Sequence, residues 1–274
     1  MNICTYIRTI RDRTIRVRPR PTTTRMAEPL YTHDGELVTG TVVDRPNRFV
    51  LRVRFDDADG SANDADPERV FLGDPGELAG IVEPGSEVLC SPVDDDERST
   101  DYDAVAADVG GTYVSLRAAL ANDLFARALE RDLVDVPPHS SVVREPDLPD
   151  HGRTDVRLDD EDGRPRAYVE VKSCTYVEDG RARFPDRPTE RGRRHLRSLR
   201  DLVETGVDCQ VAFVVQRPDA DAFAPYREVD PEFAGLLADV AGAGVDVRAL
   251  STAFDPPHYS LHDPDLPVDL ESRR

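Results

Sequence analysis

Lysine is almost absent from this sequence. All of its 35 basic residues are arginine except Lys172, tryptophan does not occur, and aromatic residues make up only 6% of the 274 residues. Lys172 ends the short apolar run at residues 167–172, which predicts a buried strand. A compact, titratable ammonium retained at this one position indicates a task that a planar guanidinium cannot perform. The alternative is that a single lysine survived by chance.

Long apolar runs are also missing. No stretch approaches the roughly 20 residues that a membrane helix needs, and no signal peptide is expected. The cysteines show neither metal-ligand spacing nor a disulfide pattern; they are Cys4, Cys90, Cys174 and Cys209. These absences argue against a membrane protein and a zinc site. They predict reduced thiols in a cytoplasmic protein.

Acidic residues outnumber basic ones, and 54 against 35 give a formal net charge of −19. Together with the lack of lysine and the short aspartate clusters, this surplus predicts a halophilic protein in a high-salt cytoplasm, because net charge governs solubility rather than fold. A disordered acidic chain is the alternative, but the periodic apolar segments argue against it. Acidity that belongs to the whole surface argues only weakly against nucleic-acid binding.

Residues 1–25 have the opposite charge. Their seven arginines and one aspartate give +6, so the remainder of the chain carries −25. The segment is either a nucleic-acid-binding arm or the product of a mis-assigned start upstream of Met26, and we favour the second. In both cases we expect a disordered segment without packed structure.

The rest of the chain divides into two predicted domains and a tail. Short strands separated by glycine and proline turns, beginning at residues 38–44 and 48–55, predict a small OB-like β-barrel over residues 28–93. Strands that alternate with helices at residues 118–132, 189–205 and 231–243 predict an α/β domain with a mixed sheet over residues 94–254. Residues 255–274, rich in proline and aspartate, are expected to form a loose acidic tail.

Asp155, Glu170 and Lys172 form the candidate catalytic site. They lie in two strands joined by a turn, and Glu170 and Lys172 project from the same face because they stand at i and i+2. Two carboxylates suit Mg²⁺ or Mn²⁺, and the lysine could orient or deprotonate a water that attacks a phosphodiester. This is the Asp…Glu-x-Lys pattern of PD-(D/E)xK nucleases. The short pattern alone favours the alternative, a cross-strand ion pair.

Longer motifs give the pattern a context. YVEVKSCT at residues 168–175 is followed by GRARFPDRPTERGRRHL at 180–196, and VAFVVQR at 211–217 is followed by FAP at 223–225 and DPEF at 230–233. With Arg153-x-Asp155, these stretches closely resemble the sugar fermentation stimulation protein family. The resemblance implies an OB-like barrel followed by a PD-(D/E)xK nuclease-like domain. It also implies nonspecific DNA binding and a role in regulating sugar metabolism.

The chain departs from the family pattern at three positions. Phe71 stands where the family usually has histidine, and Glu77 where it has arginine. Both changes remove polar or basic groups, which puts DNA binding by the barrel in doubt. The third change, Arg194 for a residue that is often lysine, keeps the charge.

A run of arginines begins just before the predicted helix at residues 189–205 and continues along it as a basic face. Its members are Arg187, Arg191, Arg193, Arg194, Arg197 and Arg200. We name Arg153, Arg191 and Arg194 as candidate phosphate contacts. The alternative is a solvated face paired with Glu190 and Asp201. His195 fits either a site residue or a buried polar group, Cys174 is expected to pack in the core, and Glu145 and Gln216 are further site candidates.

Two functions remain open. The chain is either a DNA-binding regulator that retains a nuclease-like site, with RNA as an alternative partner, or an active Mg²⁺-dependent nuclease on DNA or RNA. An ion-paired scaffold without a nucleic-acid role is the alternative to both. The sequence leaves the oligomeric state, any base preference and the pathway open.

Overall fold

The computed structural model describes residues 28–55, 66–95, 97–148 and 152–271, so the predicted segment at residues 1–25 lies outside the described residues. The first half of the chain consists of strands, because short alternating segments are separated by tight turns. These strands are β1 (Tyr31–Thr32), β2 (Val38–Asn47), β3 (Val50–Phe55), β4 (Glu68–Phe71), β5 (Glu87–Pro92), β6 (Tyr102–Val109) and β7 (Thr112–Ser115).

A barrel forms from β2 to β6. The sheet order is β4-β3-β2-β5-β6-β7, and a parallel pairing between β4 and β6 closes five strands on themselves. The alternation predicted for β3 is present: Leu51 and Val53 are fully buried in the barrel, whereas Arg52 and Arg54 face outward, because successive strand residues point to opposite faces. The predicted OB-like barrel is therefore confirmed.

The expected domain boundary at residues 93 and 94 falls inside this sheet. β5 pairs with β6 from Val88↔Ala107 to Pro92↔Tyr102, and the Val93 N–H donates to the Asp101 carbonyl at 2.8 Å. The charged residues between Pro92 and Tyr102 thus connect two paired strands of one sheet and do not separate two domains. The barrel extends through β7, and the boundary lies between β7 and the first helix.

The second domain contains the three helices of the described residues and a mixed sheet. Its elements are α1 (Leu120–Glu130), β8 (Ser141–Arg144), β9 (Asp147–Leu148), β10 (Gly152–Arg153), β11 (Val156–Asp159), β12 (Pro165–Cys174), β13 (Val177–Glu178), β14 (Arg181–Phe184), α2 (Glu190–Glu204), β15 (Asp208–Val215), β16 (Ala222–Pro225), α3 (Pro231–Gly242), β17 (Asp246–Asp255) and β18 (His258–Asp263). The seven-stranded sheet has the order β1-β18-β17-β15-β12-β11-β8. Its three central strands, β12, β15 and β17, are parallel, and the outer pairings are antiparallel.

Helices cover both faces of this sheet, which explains why β15 is apolar from Val211 to Val215. Phe213 and Val215 pack toward α2 and α3, while Ala212 and Val214 pack toward α1. The Thr189 side chain caps α2 by accepting from the Gly192 N–H at 3.0 Å. Among the described residues, the helices are too short or too polar to cross a membrane.

The predicted loose tail is wrong through residue 271. β18 pairs with β17 on one side and with β1 on the other, and Tyr259 and Leu266 are buried at 1% and 2% exposure. The Tyr259 ring stacks on Phe254 with 4.1 Å between ring centroids. Apolar residues scattered among the prolines and aspartates, in a register set by strand pairing, therefore anchor this segment.

Candidate functional site

A cleft of about 590 Å³ lies between the barrel and the second domain. The barrel contributes Arg48 and residues 74–76, and the second domain contributes the start of α1, the end of β12, the loop before α2 and His195. Asp155, Glu170 and Lys172 all line this cleft. The structure therefore brings the three predicted residues together at the carboxyl end of a central strand.

Asp155 directly precedes β11 and is held by two hydrogen bonds. The Asn122 amide donates to Oδ1 at 2.8 Å, and the Val171 N–H donates to Oδ2 at 2.7 Å. Burial raises the pKa of Asp155, and the neighbouring charge of Glu170 raises it further. The two carboxylates thus repel each other across the paired strands β11 and β12.

Glu170 is 3% exposed and is surrounded by donors. Its Oε1 contacts both the Lys172 ammonium and His195 Nδ1, and Thr154 Oγ1 donates to Oε2 at 3.3 Å. Burial alone would raise its pKa, but Lys172 and His195 outweigh burial and hold the pKa below the ordinary value. Glu170 is therefore an ionised carboxylate at pH 7.

His195 belongs to this cluster, so it is a site residue as well as a half-buried polar group. It projects from the second turn of α2, and its Nδ1 lies 3.5 Å from Lys172 Nζ. Lysine and histidine therefore share one oxygen of Glu170.

Asn122 is a site residue that sequence reasoning missed. It lies in the first turn of α1 and reaches Asp155, 33 positions along the chain. The sole signal in the sequence was an amide beside Asp123 in the first turn of the helix. Nothing local indicated that this helix end would face Asp155.

A second carboxylate pair, Asp74 and Asp186, lies in the same cleft. Asp74 comes from the barrel and accepts from the Gly76 N–H at 2.9 Å, while Asp186 comes from the second domain and accepts from the Leu78 N–H at 3.2 Å. Burial raises the pKa of Asp74 to about 6, and the charge of Asp186 acts in the same direction. Asp186 thus bonds one domain to the other.

Gly76 is needed at this junction. A Cβ built there would lie 2.4 Å from Asp186 Oδ2 and 3.0 Å from Asp74 Oδ1. Because Cβ atoms do not tolerate such distances, any side chain at residue 76 would push the two domains apart or displace Asp186.

The predicted phosphate contacts also come together. Arg153, Arg191 and Arg194 line a groove of about 540 Å³ that shares His195 with the cleft. Arg191 and Arg194 are exposed, and within the described part of the chain neither makes an ion pair. Arg153 pairs with Asp147 at 3.3 Å, and both side chains are largely exposed.

The other arginines of α2 follow the alternative interpretation. Arg193 bonds Asp230 at 2.7 Å, Arg197 lies 3.4 Å from Glu190, and Arg200 lies 3.5 Å from Asp201. The helix therefore has a paired face of Arg193, Arg197 and Arg200, although Arg197 also lines the groove beside Arg191 and Arg194.

Glu145 and Gln216 do not supply groups to the cleft. Glu145 is exposed, and its backbone N–H donates to the Asp155 carbonyl at 2.9 Å. Gln216 is 1% exposed and donates to Ser173 Oγ at 2.8 Å. Both residues support the backbone beside the site. Cys174 packs in the core, as expected, at 2% exposure.

The carboxylates could hold a divalent cation. Each carboxylate oxygen has two acceptor positions, and the hydrogen bonds described leave capacity on both oxygens of Asp155 and on Glu170 Oε2. The described residues contain no cluster of three or more histidine, cysteine or acidic ligands poised for a metal. Magnesium nevertheless uses only one or two carboxylates with water and substrate phosphates, so this pair fits it.

Comparison with known proteins agrees with the architecture. Residues 119–258 match the model of the sugar fermentation stimulation protein RE domain, and residues 43–116 match the SfsA N-terminal OB domain. The chain belongs to the sugar fermentation stimulation protein family. Both the predicted resemblance and the predicted fold class are thereby confirmed.

Members of the sugar fermentation stimulation protein family match almost the whole chain. A homologue from Moorella thermoacetica is 38% identical over 84% of this chain and 96% of its own length. One from Chloroflexus aurantiacus is 35% identical over 82% and 83%. The structure of Pyrococcus furiosus SfsA in complex with Ca²⁺ superposes with a TM-score of 0.75 at 26% identity, covering 89% of this chain and all of that one.

Proposed function

We propose that this protein binds DNA, without sequence preference, in the cleft and the adjoining groove, and that Asp155 and Glu170 hold Mg²⁺ or Mn²⁺ there. The observation that carries the proposal is the convergence of Asp155, Glu170 and Lys172 on one cleft, with Arg191 and Arg194 exposed at its rim. RNA has the same phosphate groups and is the alternative partner.

The charge distribution supports a polyanionic ligand. In a chain of net charge −19, Arg191 and Arg194 are exposed and make no ion pair with the described residues, so their guanidinium groups are available to an anion. Guanidinium groups recognise phosphate oxygens through paired N–H donors. A phosphate backbone that lies along Arg191 and Arg194 would reach His195, and through it the metal-binding carboxylates.

The metal assignment rests on the carboxylates of this chain. Asp155 and Glu170 repel each other, and a divalent cation would relieve that repulsion. The Pyrococcus relative is described as a complex with Ca²⁺, another hard cation that prefers oxygen ligands. When bound, the metal would polarise a phosphoryl oxygen.

Phosphodiester hydrolysis is the second candidate function, and Lys172 is the observation that favours it. Its ammonium lies against Glu170 and is only 13% exposed. From there Lys172 could orient a water or take its proton, while His195 keeps Glu170 ionised. In both functions we place the protein in a high-salt cytoplasm. The relatives' name leads us to propose a regulatory role in sugar metabolism.

The test is fluorescence anisotropy with a labelled DNA duplex in molar KCl, with and without Mg²⁺. We expect the double variant Arg191→Gln/Arg194→Gln to bind at least about tenfold more weakly than the parent, because two phosphate contacts are lost. Arg200→Gln, on the paired face of the same helix, is the matched control and should bind as the parent does. Equal affinity of all three proteins would overturn the placement of DNA on this surface.

A further inference from the structure

The outer face of the barrel carries side chains that the packing of the barrel core does not account for. Numbered along the barrel, β3 and β4 are its second and third strands. In barrels of this topology the face of those strands is where oligonucleotides and oligosaccharides bind. Val50 pairs with Phe71 across the two strands, and the next outward pair is Arg52↔Arg69.

Two phenylalanines stand on this face. Phe49 and Phe71 are 40% and 38% exposed, an uncommon exposure for such large apolar side chains in this protein. The Leu72 N–H donates to the Phe49 carbonyl at 2.8 Å, which fixes the two residues beside each other. Both line an open groove of about 660 Å³ that also contains Arg98.

Arginines lie over both rings. The Arg48 guanidinium is 4.7 Å from the Phe49 ring centroid, and that of Arg98 is 5.5 Å from the Phe71 centroid. Arg98 is also held by Asp103 at 2.5 Å. An aromatic ring beside a planar cation offers a stacking surface for a nucleobase and a donor for its phosphate.

Adjacent residues of the chain line the groove and the cleft. Arg48 lines the cleft that contains Lys172, and the adjacent residue Phe49 lines the groove. A strand whose backbone passes Arg48 would therefore reach the two rings with its next bases. Phe71, which replaces the histidine usual in the family, supplies an apolar stacking face at the point where a polar contact is lost.

We infer that Phe49 and Phe71 form a stacking site for unpaired bases, so that the nucleic acid bound by this protein is single-stranded where it crosses the barrel. The inference rests on the proposed nucleic-acid function and adds the form of the ligand. In a duplex the base faces already stack on one another, so only an unpaired strand can offer them to these rings. Stacking also persists at salt concentrations that weaken phosphate contacts.

The absence of tryptophan allows a direct test. Phe71→Trp would make residue 71 the sole tryptophan, and stacking of a base on it should quench its fluorescence. We expect quenching by single-stranded oligothymidylate and none by a blunt duplex of equal length. Leu133→Trp, at another exposed apolar residue remote from the groove, is the control and should not respond. An unquenched Phe71→Trp that still binds the single strand would overturn the inference.

Affinity gives an independent reading. Because stacking of one base contributes about 1–3 kcal/mol, Phe49→Ala and Phe71→Ala should each weaken single-strand binding by about 5- to 100-fold, while Leu133→Ala should not. One outcome separates the two proposals. If Arg191→Gln/Arg194→Gln abolishes DNA binding but neither Phe49→Ala nor Phe71→Ala weakens it, the stacking site is wrong and the proposed function stands. If the parent binds neither single strand nor duplex, both fail.

Discussion

The cleft contains two carboxylate pairs that are stabilised in opposite ways. In the pair Asp155 and Glu170, burial is countered by cations, and the pKa of Glu170 lies below its ordinary value. In the pair Asp74 and Asp186, burial outweighs the Gly76 hydrogen bond and the charge of Arg45, and the pKa of Asp74 rises to about 6. Glu170 is thus held in its charged form, whereas Asp74 takes up a proton as the pH falls through about 6.

The difference lies in the partners. Glu170 contacts Lys172 and His195, both of which can carry a positive charge. Asp74 and Asp186 accept from backbone N–H groups, which satisfy hydrogen bonding but bring no net charge. A cluster of fixed charge suits a ligand with its own charges, and backbone bonds across a domain boundary suit a structural junction. The same residue type therefore serves two purposes within one cleft.

Lys172→Arg should have the largest effect. Arginine can keep the ion pair with Glu170 but cannot give up its proton. Any metal-dependent cleavage should therefore fall by about 10²–10⁴-fold, with little change in thermal stability. Nicking of supercoiled plasmid with Mg²⁺ or Mn²⁺ in molar KCl measures it. A variant that cleaves as well as the parent would remove Lys172 from the chemistry.

Asp155→Asn and Glu170→Gln should each weaken divalent-ion binding by at least about tenfold, because each removes a charged ligand. Calorimetric titration with Mn²⁺ gives the affinities. Asp74→Asn is the matched control from the other pair and should leave the affinity unchanged. If Asp74→Asn is as damaging as the first two, the ion sits at the domain junction and the contrast between the pairs disappears.

The pH dependence of stability should separate the pairs. The pKa of Asp74 is about 6 in the folded protein against 3.8 for an ordinary aspartate, so folding favours the protonated form. Its stabilising contribution is complete below about pH 4 and is lost as pH rises through about 6. From about pH 7 to about pH 5, the parent should gain on the order of 1 kcal/mol of unfolding free energy more than Asp74→Asn.

Urea unfolding at the two pH values measures this difference. Asp74→Asn keeps an oxygen that can accept from the Gly76 N–H, so the junction should survive. Equal pH dependence in the parent and the variant would show that folding does not raise the pKa of Asp74.

The smallest effect concerns salt. Affinity for DNA falls with a log–log slope of about −0.9 per phosphate contact, so a protein that works at molar salt must rely on few contacts and on its metal. We expect a shallow slope from about 0.5 to about 3 M KCl and a strong dependence on Mg²⁺. Arg191→Gln should reduce the slope by about 1, and Arg200→Gln should not. A steep slope without a metal effect would indicate ordinary phosphate electrostatics.

Local pattern was sufficient to predict the central elements and the core of the site. The spacing of Asp155, Glu170 and Lys172 implied a shared face, because strand periodicity is a local property. The helix predicted at residues 189–205 is α2, which the structure places at Glu190–Glu204 with Thr189 as its cap. Such features depend on neighbours within a few residues.

The rest depended on distant contacts. Asn122, Asp74 and Asp186 reach the cleft only because α1 packs on the sheet and the barrel docks on the second domain, and no local pattern encodes either contact. The domain boundary was misplaced because residues 94–100 have linker composition, although β5 and β6 pair around them. β18 was missed because its pairing partners, not its composition, make it a strand.

The pairing of β1 with β18 fixes the order in which the barrel and the larger sheet can be completed during synthesis. Tyr31 pairs with Tyr259, and the whole barrel lies between them in the chain. At roughly 5–20 residues per second of synthesis, Tyr31 waits on the order of ten seconds or more for its partner. During that time the strands of the barrel can pair, whereas the seven-stranded sheet still lacks β18, the strand on which β1 pairs. The seven-stranded sheet of the second domain is therefore completed only after β18 has been synthesised.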